Sequence, residues 1–294
     1  MSIECGDEHL MRRALIIAGL IAVALMMGGG LLMGSVLSSP ALHPVGAPPS
    51  DLNAADVSFD GVNGWFVPAG NGAPCVLLMH GVRADRRSMI ARARLLRDAG
   101  YSSLLIDLQA HGESAGQHIT FGYLESANAR SAVRLLHEKF HCKKVAAIGQ
   151  SLGGAAAVLG KEPLQVEALV LESVYPTIRE AVEDRLRIRL GNLGALLTPI
   201  LLLQLEPRLG VGEDELQPIR HIGEFHRPLL ILGGEVDQHT TLEETKRLYA
   251  AASEPKQLWT VPGAAHVDLQ RFAPAEYSRH VLAFLKANVS ADGP

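Results

Sequence analysis

Cysteine is scarce in this chain of 294 residues, which has three. Cys5 precedes the first apolar stretch, while Cys75 and Cys142 lie far along the chain. So low a count excludes a disulfide scaffold, and no C-x-x-C or Cys/His spacing of a zinc site occurs. No metal or cofactor is expected. Clustered positive charge is missing as well: a formal net charge of -4 and a pI near 6.3 leave no basic footprint for nucleic acid. No internal repeat is visible, and no low-complexity tract outside the N-terminal fifth. Apolar side chains (48%) and glycine (29 residues) are abundant, which fits a globular chain with a large core and many turns.

Charge is absent altogether from residues 14–37, where Ser35 is the only polar side chain. At about 1.5 Å per residue, such a helix exceeds the roughly 30 Å hydrocarbon core of a bilayer. Arg12 and Arg13 stand directly before it, and no Lys or Arg follows until Arg83. That asymmetry puts residues 1–13 in the cytoplasm, residues 14–37 across the membrane as an anchor, and the remainder outside. The competing reading is a cleaved signal sequence and a secreted product, to which the Gly28-Gly29-Gly30 run lends weight by weakening a uniform helix. The stretch is long for a signal peptide, however, and neither an A-x-A site nor a lipobox cysteine follows it. Residues 38–50, rich in proline and small side chains, read as an extended linker that lifts a domain of residues 51–294 off the bilayer.

Within 51–294, short apolar runs alternate with helical periodicity. Strands are expected at 64–68, 75–79, 103–106, 145–148, 168–171, 229–232 and 257–261, and helices at 86–99, 124–140 and 275–287. Uninterrupted apolar runs such as CVLLM from Cys75 to Met79 suit parallel strands buried on both faces. The alternation argues for an α/β fold with a mostly parallel sheet, in which chemistry gathers at the carboxyl ends of the strands.

Every chemical motif falls at such an end. Gly149-Gln150-Ser151-Leu152-Gly153 matches G-x-S-x-G between a strand and an Ala-rich helix, the setting that exposes a nucleophilic serine on a strained turn. A serine needs a base, and the base an orienting acid. Among twelve histidines, position selects His266, after the last strand and before the last helix; His239 is its rival. Asp237, just past the preceding strand, is the acid, with Glu172 and Glu235 as alternatives; Asp268 reads as a helix cap. The chain order Ser151, Asp237, His266 is that of an α/β-hydrolase triad. Val82, in the loop after the first buried strand, and Leu152, after the nucleophile, are the expected oxyanion-hole N–H donors. His80 and the polar residues from Asp107 to Ser114 are expected to order the loops around the site.

These motifs together resemble the α/β-hydrolase superfamily, most nearly the group of monoglyceride lipases and serine aminopeptidases. The resemblance runs over about residues 59–285, through His80-Gly81, the D-x-x-x-H-G-x-S segment from Asp107, GQSLGG, GGEVD and GAAH. It implies an eight-stranded sheet with a helical cap inserted after the sixth strand, here residues 174–225. The loop HGVRADRR departs from the HGGG form of many esterases. In the cap, Ile178, Val182, Leu186 and Leu190 recur every four positions, and ALLTPILLLQL from Ala195 is apolar enough either to grease the pocket or to pack on the core or the membrane. In this fold Cys75 and Cys142 precede neighbouring strands, so an exported domain allows them to pair, although their unequal spacing to the strand ends speaks against it. The expected activity is hydrolysis of a small-molecule ester with an apolar acyl group through an acyl-enzyme on Ser151. An aminopeptidase or amidase with the same triad, and a non-catalytic binding protein that keeps the fold, are the competing readings.

Overall fold

The apolar runs of the sequence become the strands of one eight-stranded sheet in the computed structural model, which describes residues 4–290. The ends of the expected 1–13 and 51–294 segments, residues 1–3 and 291–294, lie outside the described residues. The strands are β1 Ala55–Phe59, β2 Val62–Val67, β3 Cys75–Met79, β4 Ser102–Ile106, β5 Val145–Gln150, β6 Ala168–Glu172, β7 Leu229–Gly234 and β8 Lys256–Val261. Their spatial order is β1-β2-β4-β3-β5-β6-β7-β8, with β2 antiparallel to both neighbours and all other pairs from β4 onward parallel.

Alternate residues of the central strands feed two cores. Leu77, Met79, Ala147 and Leu171 point to the layer holding α3 (Glu125–Glu138) and α4 (Leu152–Val158). Val76, Leu78, Ile148 and Val170 point to the layer holding α2 (Ile90–Asp98) and the C-terminal helix. Burial on both faces is why these strands read as unbroken apolar runs. Three-residue steps and capping shift the helix bounds slightly from expectation: residues 86–89 form a 3-10 turn capped by the Asp85 carboxylate rather than the start of α2.

The Cys75 and Cys142 sulfurs are bonded in a disulfide that closes a sequence separation of 67 residues. It joins the first residue of β3 to the segment entering β5, at the end of the sheet away from Ser151.

The cap follows β6, as the resemblance implies. It comprises α5 (Ile178–Leu190), a 3-10 turn (Asn192–Leu197), α6 (Thr198–Leu202) and α7 (Leu205–Leu209), before α8 (Pro218–His221) returns the chain to β7. Helix α9 (Leu242–Ala251) follows β7, and α10 (Leu269–Phe272) and α11 (Pro274–Asn288) follow β8. Asp184 of α5 meets Glu244 of α9, both buried. Burial, and then the Asp184 charge, push the Glu244 carboxyl up to about 7 against the opposing Thr241 N–H. A carboxyl whose pKa rises on folding costs nothing below its ordinary unfolded value and destabilises increasingly as pH climbs through its folded value. Thermal stability is therefore expected to fall between about pH 5 and pH 8 through this pair, and Glu244→Gln, which can still donate to Asp184, should flatten that fall. Melting temperatures at the two pH values check it: equal slopes in variant and parent count against Glu244 as the source of the fall.

Two expectations for the N-terminal region need correction. The glycine run does not interrupt the helix: α1 is continuous from Glu4 to Ser38. Nor are residues 38–50 a free spacer. Ala41–Leu42 pair in parallel with His111–Gly112, Val45 is buried, and the His43 ring contacts the Asp85 carboxylate at 2.9 Å. The backbone N–H of Val45 donates to Glu113 Oε1 at 3.0 Å. The segment lacks regular periodicity because it borrows its partners from loops of the domain.

Candidate active site

Strand β5 ends in the GQSLGG turn, and its backbone has the strained form the motif requires. Ser151 adopts φ 48° and ψ -108°, a positive φ that costs an L-residue energy and persists only where the surroundings enforce it. The surroundings do enforce it through backbone crossings that leave no room for a side chain. A Cβ on Gly153 would lie 2.5 Å from the Met79 carbonyl oxygen, and one on Gly149 would lie 2.5 Å from the Gly154 nitrogen. The Ser151 N–H donates to the Glu172 carbonyl at 2.8 Å, which pins the turn to β6.

Asp237 and His266 meet, although they come from separate loops after β7 and β8. His266 Nδ1 lies 2.8 Å from Asp237 Oδ2. Asp237 Oδ1 accepts the His239 and Thr240 N–H groups at 2.8 and 3.0 Å. Burial raises the Asp237 pKa, but the His266 hydrogen bond and charge and the two backbone N–H groups outweigh it, so the group stays below its ordinary value. The Ser151 hydroxyl makes no hydrogen bond to His266 among the described residues; unliganded sites often hold this contact long until substrate binds.

The alternatives are otherwise occupied. Both Glu172 oxygens accept from the buried Arg92 guanidinium, and Tyr277 Oη donates to one of them. Glu235 is exposed and accepts from the Thr260 hydroxyl. The His239 side chain packs beside His266 with ring centroids 5.1 Å apart and does not touch the Asp237 carboxylate; its backbone does. Asp268 caps α10 as expected and also binds Arg92.

The loop after β3 lies against the turn: the Gly153 N–H donates to the His80 carbonyl at 3.1 Å. Burial, and the neighbouring His111, push the His80 ring down to about 3, so the ring is neutral. It uses both nitrogens structurally: Nε2 accepts the Leu108 N–H at 3.0 Å and Nδ1 donates to the Gly81 carbonyl at 2.7 Å. Asp107 accepts the Arg86 and Glu113 N–H groups at 2.8 and 2.9 Å, and Ser114 Oγ donates to the Asp107 carbonyl at 2.7 Å. The D-x-x-x-H-G-x-S segment is thus a set of loop braces.

Ser151, Leu152 and Val82 line a cavity of about 570 Å³. Its walls from the cap include Ile178, Val182, Leu186 and Leu201; Leu190, the fourth residue of the expected stripe, faces outward. Tyr175 and Phe121 add aromatic surface, and the Tyr175 hydroxyl donates to the Phe121 carbonyl. Among the described residues the lining carries three arginines, Arg83, Arg185 and Arg189, and no carboxylate. Arg185 Nη1 donates to the Ala181 carbonyl at 2.8 Å, and burial pulls its pKa down. One wall was not foreseen from sequence: Gly29, Leu32, Met33, Val36 and Leu37 of α1. The legible signal was Gly30-x-x-x-Gly34, a small-residue spacing at which helices approach closely.

Comparison with known proteins agrees with this architecture. The family model for serine aminopeptidase, S33, matches residues 71–217. The uncharacterized protein Rv2307c of Mycobacterium tuberculosis is 30% identical over 264 residues, covering 84% of this chain and 87% of that protein. The uncharacterized protein YqkD of Bacillus subtilis is 24% identical over 209 residues, covering 70% and 68%. Among solved structures, the Pyrococcus furiosus esterase Pf2001 superposes with a TM-score of 0.70 at 22% identity, over 85% of this chain and 99% of that one. A hydrolase from Pseudomonas aeruginosa superposes at 0.57 with 18% identity, over 80% and 99%. These two likenesses speak to the fold. Sheet order, cap position and the family match over the His80-Gly81 loop, the Ser151 turn and most of the cap lead to one assignment: the chain belongs to the serine aminopeptidase S33 family of α/β-hydrolases.

Proposed function

We propose that this hydrolase cleaves carboxylic esters through an acyl-enzyme on Ser151. His266 takes the hydroxyl proton as Ser151 attacks the ester carbonyl and returns it to the leaving alcohol; Asp237 holds the imidazole and stabilises its cation. The N–H groups of Val82 and Leu152 receive the oxyanion, and water then repeats the sequence to release the acid. The observation that carries the reading is the strained Ser151 elbow opening on an apolar cavity without a carboxylate. An aminopeptidase has to hold a substrate ammonium, and a lining with three arginines repels one.

The test is turnover of a p-nitrophenyl ester series by the full chain, with fluorophosphonate labelling and a Ser151→Ala control. Labelling and turnover that both vanish in the control are expected. Labelling without ester turnover at any chain length points to an amide substrate, and absence of both to a binding protein.

Residues 11–38 form the one described helix long and apolar enough to cross a membrane. We read it as a retained anchor with the domain outside, as a single-pass protein. The support is the Arg12-Arg13 asymmetry, the disulfide of an oxidising compartment, and the pocket wall that cleavage would remove. Cys5, the one cysteine outside the disulfide, provides the check. In intact cells an impermeant maleimide should not label it, and permeabilisation should expose it. Labelling without permeabilisation reverses the orientation, and a mature chain lacking Cys5 means cleavage.

A further inference from the structure

The C-terminal third of α1 is fastened to the hydrolase on three sides. Gln204 Nε2 donates to the Gly30 carbonyl at 3.0 Å, and Arg208 Nη2 to the Leu31 carbonyl at 3.2 Å. The Arg83 guanidinium, next to Val82, donates to the Val36 carbonyl and to Ser39 Oγ at 3.0 Å. The Ile119 N–H donates to the Ser38 carbonyl at 2.9 Å. A Cβ on Gly30 would lie 2.5 Å from Ile200 Cγ2, so only glycine lets α6 approach this closely. With that side held by the cap, the neighbouring stripe of Gly29, Leu32, Met33, Val36 and Leu37, at i, i+3, i+4, i+7 and i+8, faces the cavity over Ser151.

Depth follows from the same contacts. A bilayer core takes about 20 helical residues, so a span beginning at Ala14 reaches its outer boundary near Met33, within the cavity wall. Gly30 meets Ile200 and Gly34 meets Gln204, so the cap segment ascends alongside α1 in the same direction. Leu193 and Leu196 lie in the 3-10 turn that leads into this segment, on the approach to Ile200. They are 77% and 68% exposed, and Leu203 is 74% exposed. Large leucines left uncovered beside a membrane-spanning helix mark a surface that lipid covers.

We propose that the leucine face of the cap is embedded in the outer leaflet, and that the substrate is a leaflet-resident acyl ester. Its chain enters between α1 and the cap and lies along Leu32, Met33 and Val36. The substrate part rests on the reading of Ser151 as an ester-hydrolase nucleophile; the embedding does not. The anchor helix then determines acyl specificity as well as location, since a third of it forms one wall of the pocket. A chain drawn sideways from lipid passes from one apolar surface to another without crossing water.

Two measurements on the full chain in phosphatidylcholine vesicles test this. In Leu196→Trp, phosphatidylcholine brominated on its acyl chains should quench the added emission, relative to the parent's two tryptophans; unquenched emission overturns the embedding. For the pocket, the readout is the ratio of kcat/KM for p-nitrophenyl octanoate to that for the acetate. Met33→Trp should lower it at least tenfold and Met33→Ala should raise it, while Leu31→Trp, on the outward side of α1, should leave it within twofold. A ratio indifferent to both Met33 variants overturns the α1 wall. Absence of turnover of either ester in the parent is a different failure, since it removes the ester-hydrolase reading while the quenching result stands.

Discussion

Replacing His266 by alanine is expected to lower kcat/KM for p-nitrophenyl acetate by about four to six orders of magnitude, and Asp237→Asn by about four, with KM little changed. The asparagine effect has a specific geometric cause here. Asp237 Oδ1 accepts two backbone N–H groups, from His239 and Thr240, and only Oδ2 faces His266. An asparagine keeps its carbonyl oxygen toward those two donors and so turns its amide N–H toward His266 Nδ1. That nitrogen must then accept, which moves the ring proton to Nε2, where it can no longer take a proton from Ser151. No neighbouring carboxylate can compensate, because Glu172 is committed to Arg92 and Tyr277. Steady-state kinetics on Asp237→Asn and His239→Ala check the assignment. Activity that survives the first and collapses in the second would move the base to His239.

The second large effect falls on stability. Arg92→Met is expected to cost about 3–5 kcal/mol, because it leaves Glu172 buried and charged without its counterion. For a domain of this size that corresponds to a melting point lower by about 10 °C. The Arg92 side chain is 1% exposed. It donates to Glu172 from Nε at 3.0 Å and from Nη2, to Asp268 from Nη1 at 3.1 Å and Nη2 at 3.0 Å, and from Nε to Tyr277 Oη at 3.1 Å. Burial works against its charge, and the surrounding anions overcome that, so its pKa is held well above the usual value. Because the attraction within a buried ion pair is largely offset by the cost of desolvating it, Arg92→Met combined with Glu172→Leu should recover much of the loss. Calorimetry on the single and double variants separates the two effects; a single variant as stable as the parent would show the charge to be dispensable.

Much of this molecule can be read from one sequence because its signals are local. A strand buried on both faces declares itself by composition, as Cys75–Met79 does, and the G-x-S-x-G turn carries its own conformational requirement in its glycines. Asp237 and His266 are legible by rank along the chain, since loops after successive parallel strands emerge at the same edge of the sheet. What stayed hidden was assembled from distant pieces. Arg92 lies 80 residues from Glu172 and 185 from Tyr277, and α2 gives no local hint that one of its arginines is buried. Residues 38–50 have the composition of a spacer because their hydrogen-bond partners are in the loops at Asp85 and Glu113. The docking of α1 on the cap depends on glycines at 30 and 34, which in an apolar segment are as easily read as a defect.

The disulfide has a consequence for how this protein can change over time. Cys75 and Cys142 stand at the starts of the two strands that lead into the His80-Gly81 loop and the Ser151 turn, the first on its strand and the second just before it. Either cysteine without the other is a buried thiol of no service, and in an oxidising compartment an unpaired thiol invites crossed linkages between molecules. Loss of one therefore favours loss of its partner, and the two positions form a single inherited trait. A descendant in a reducing compartment could shed both cysteines together and leave the Ser151 edge of the sheet untouched.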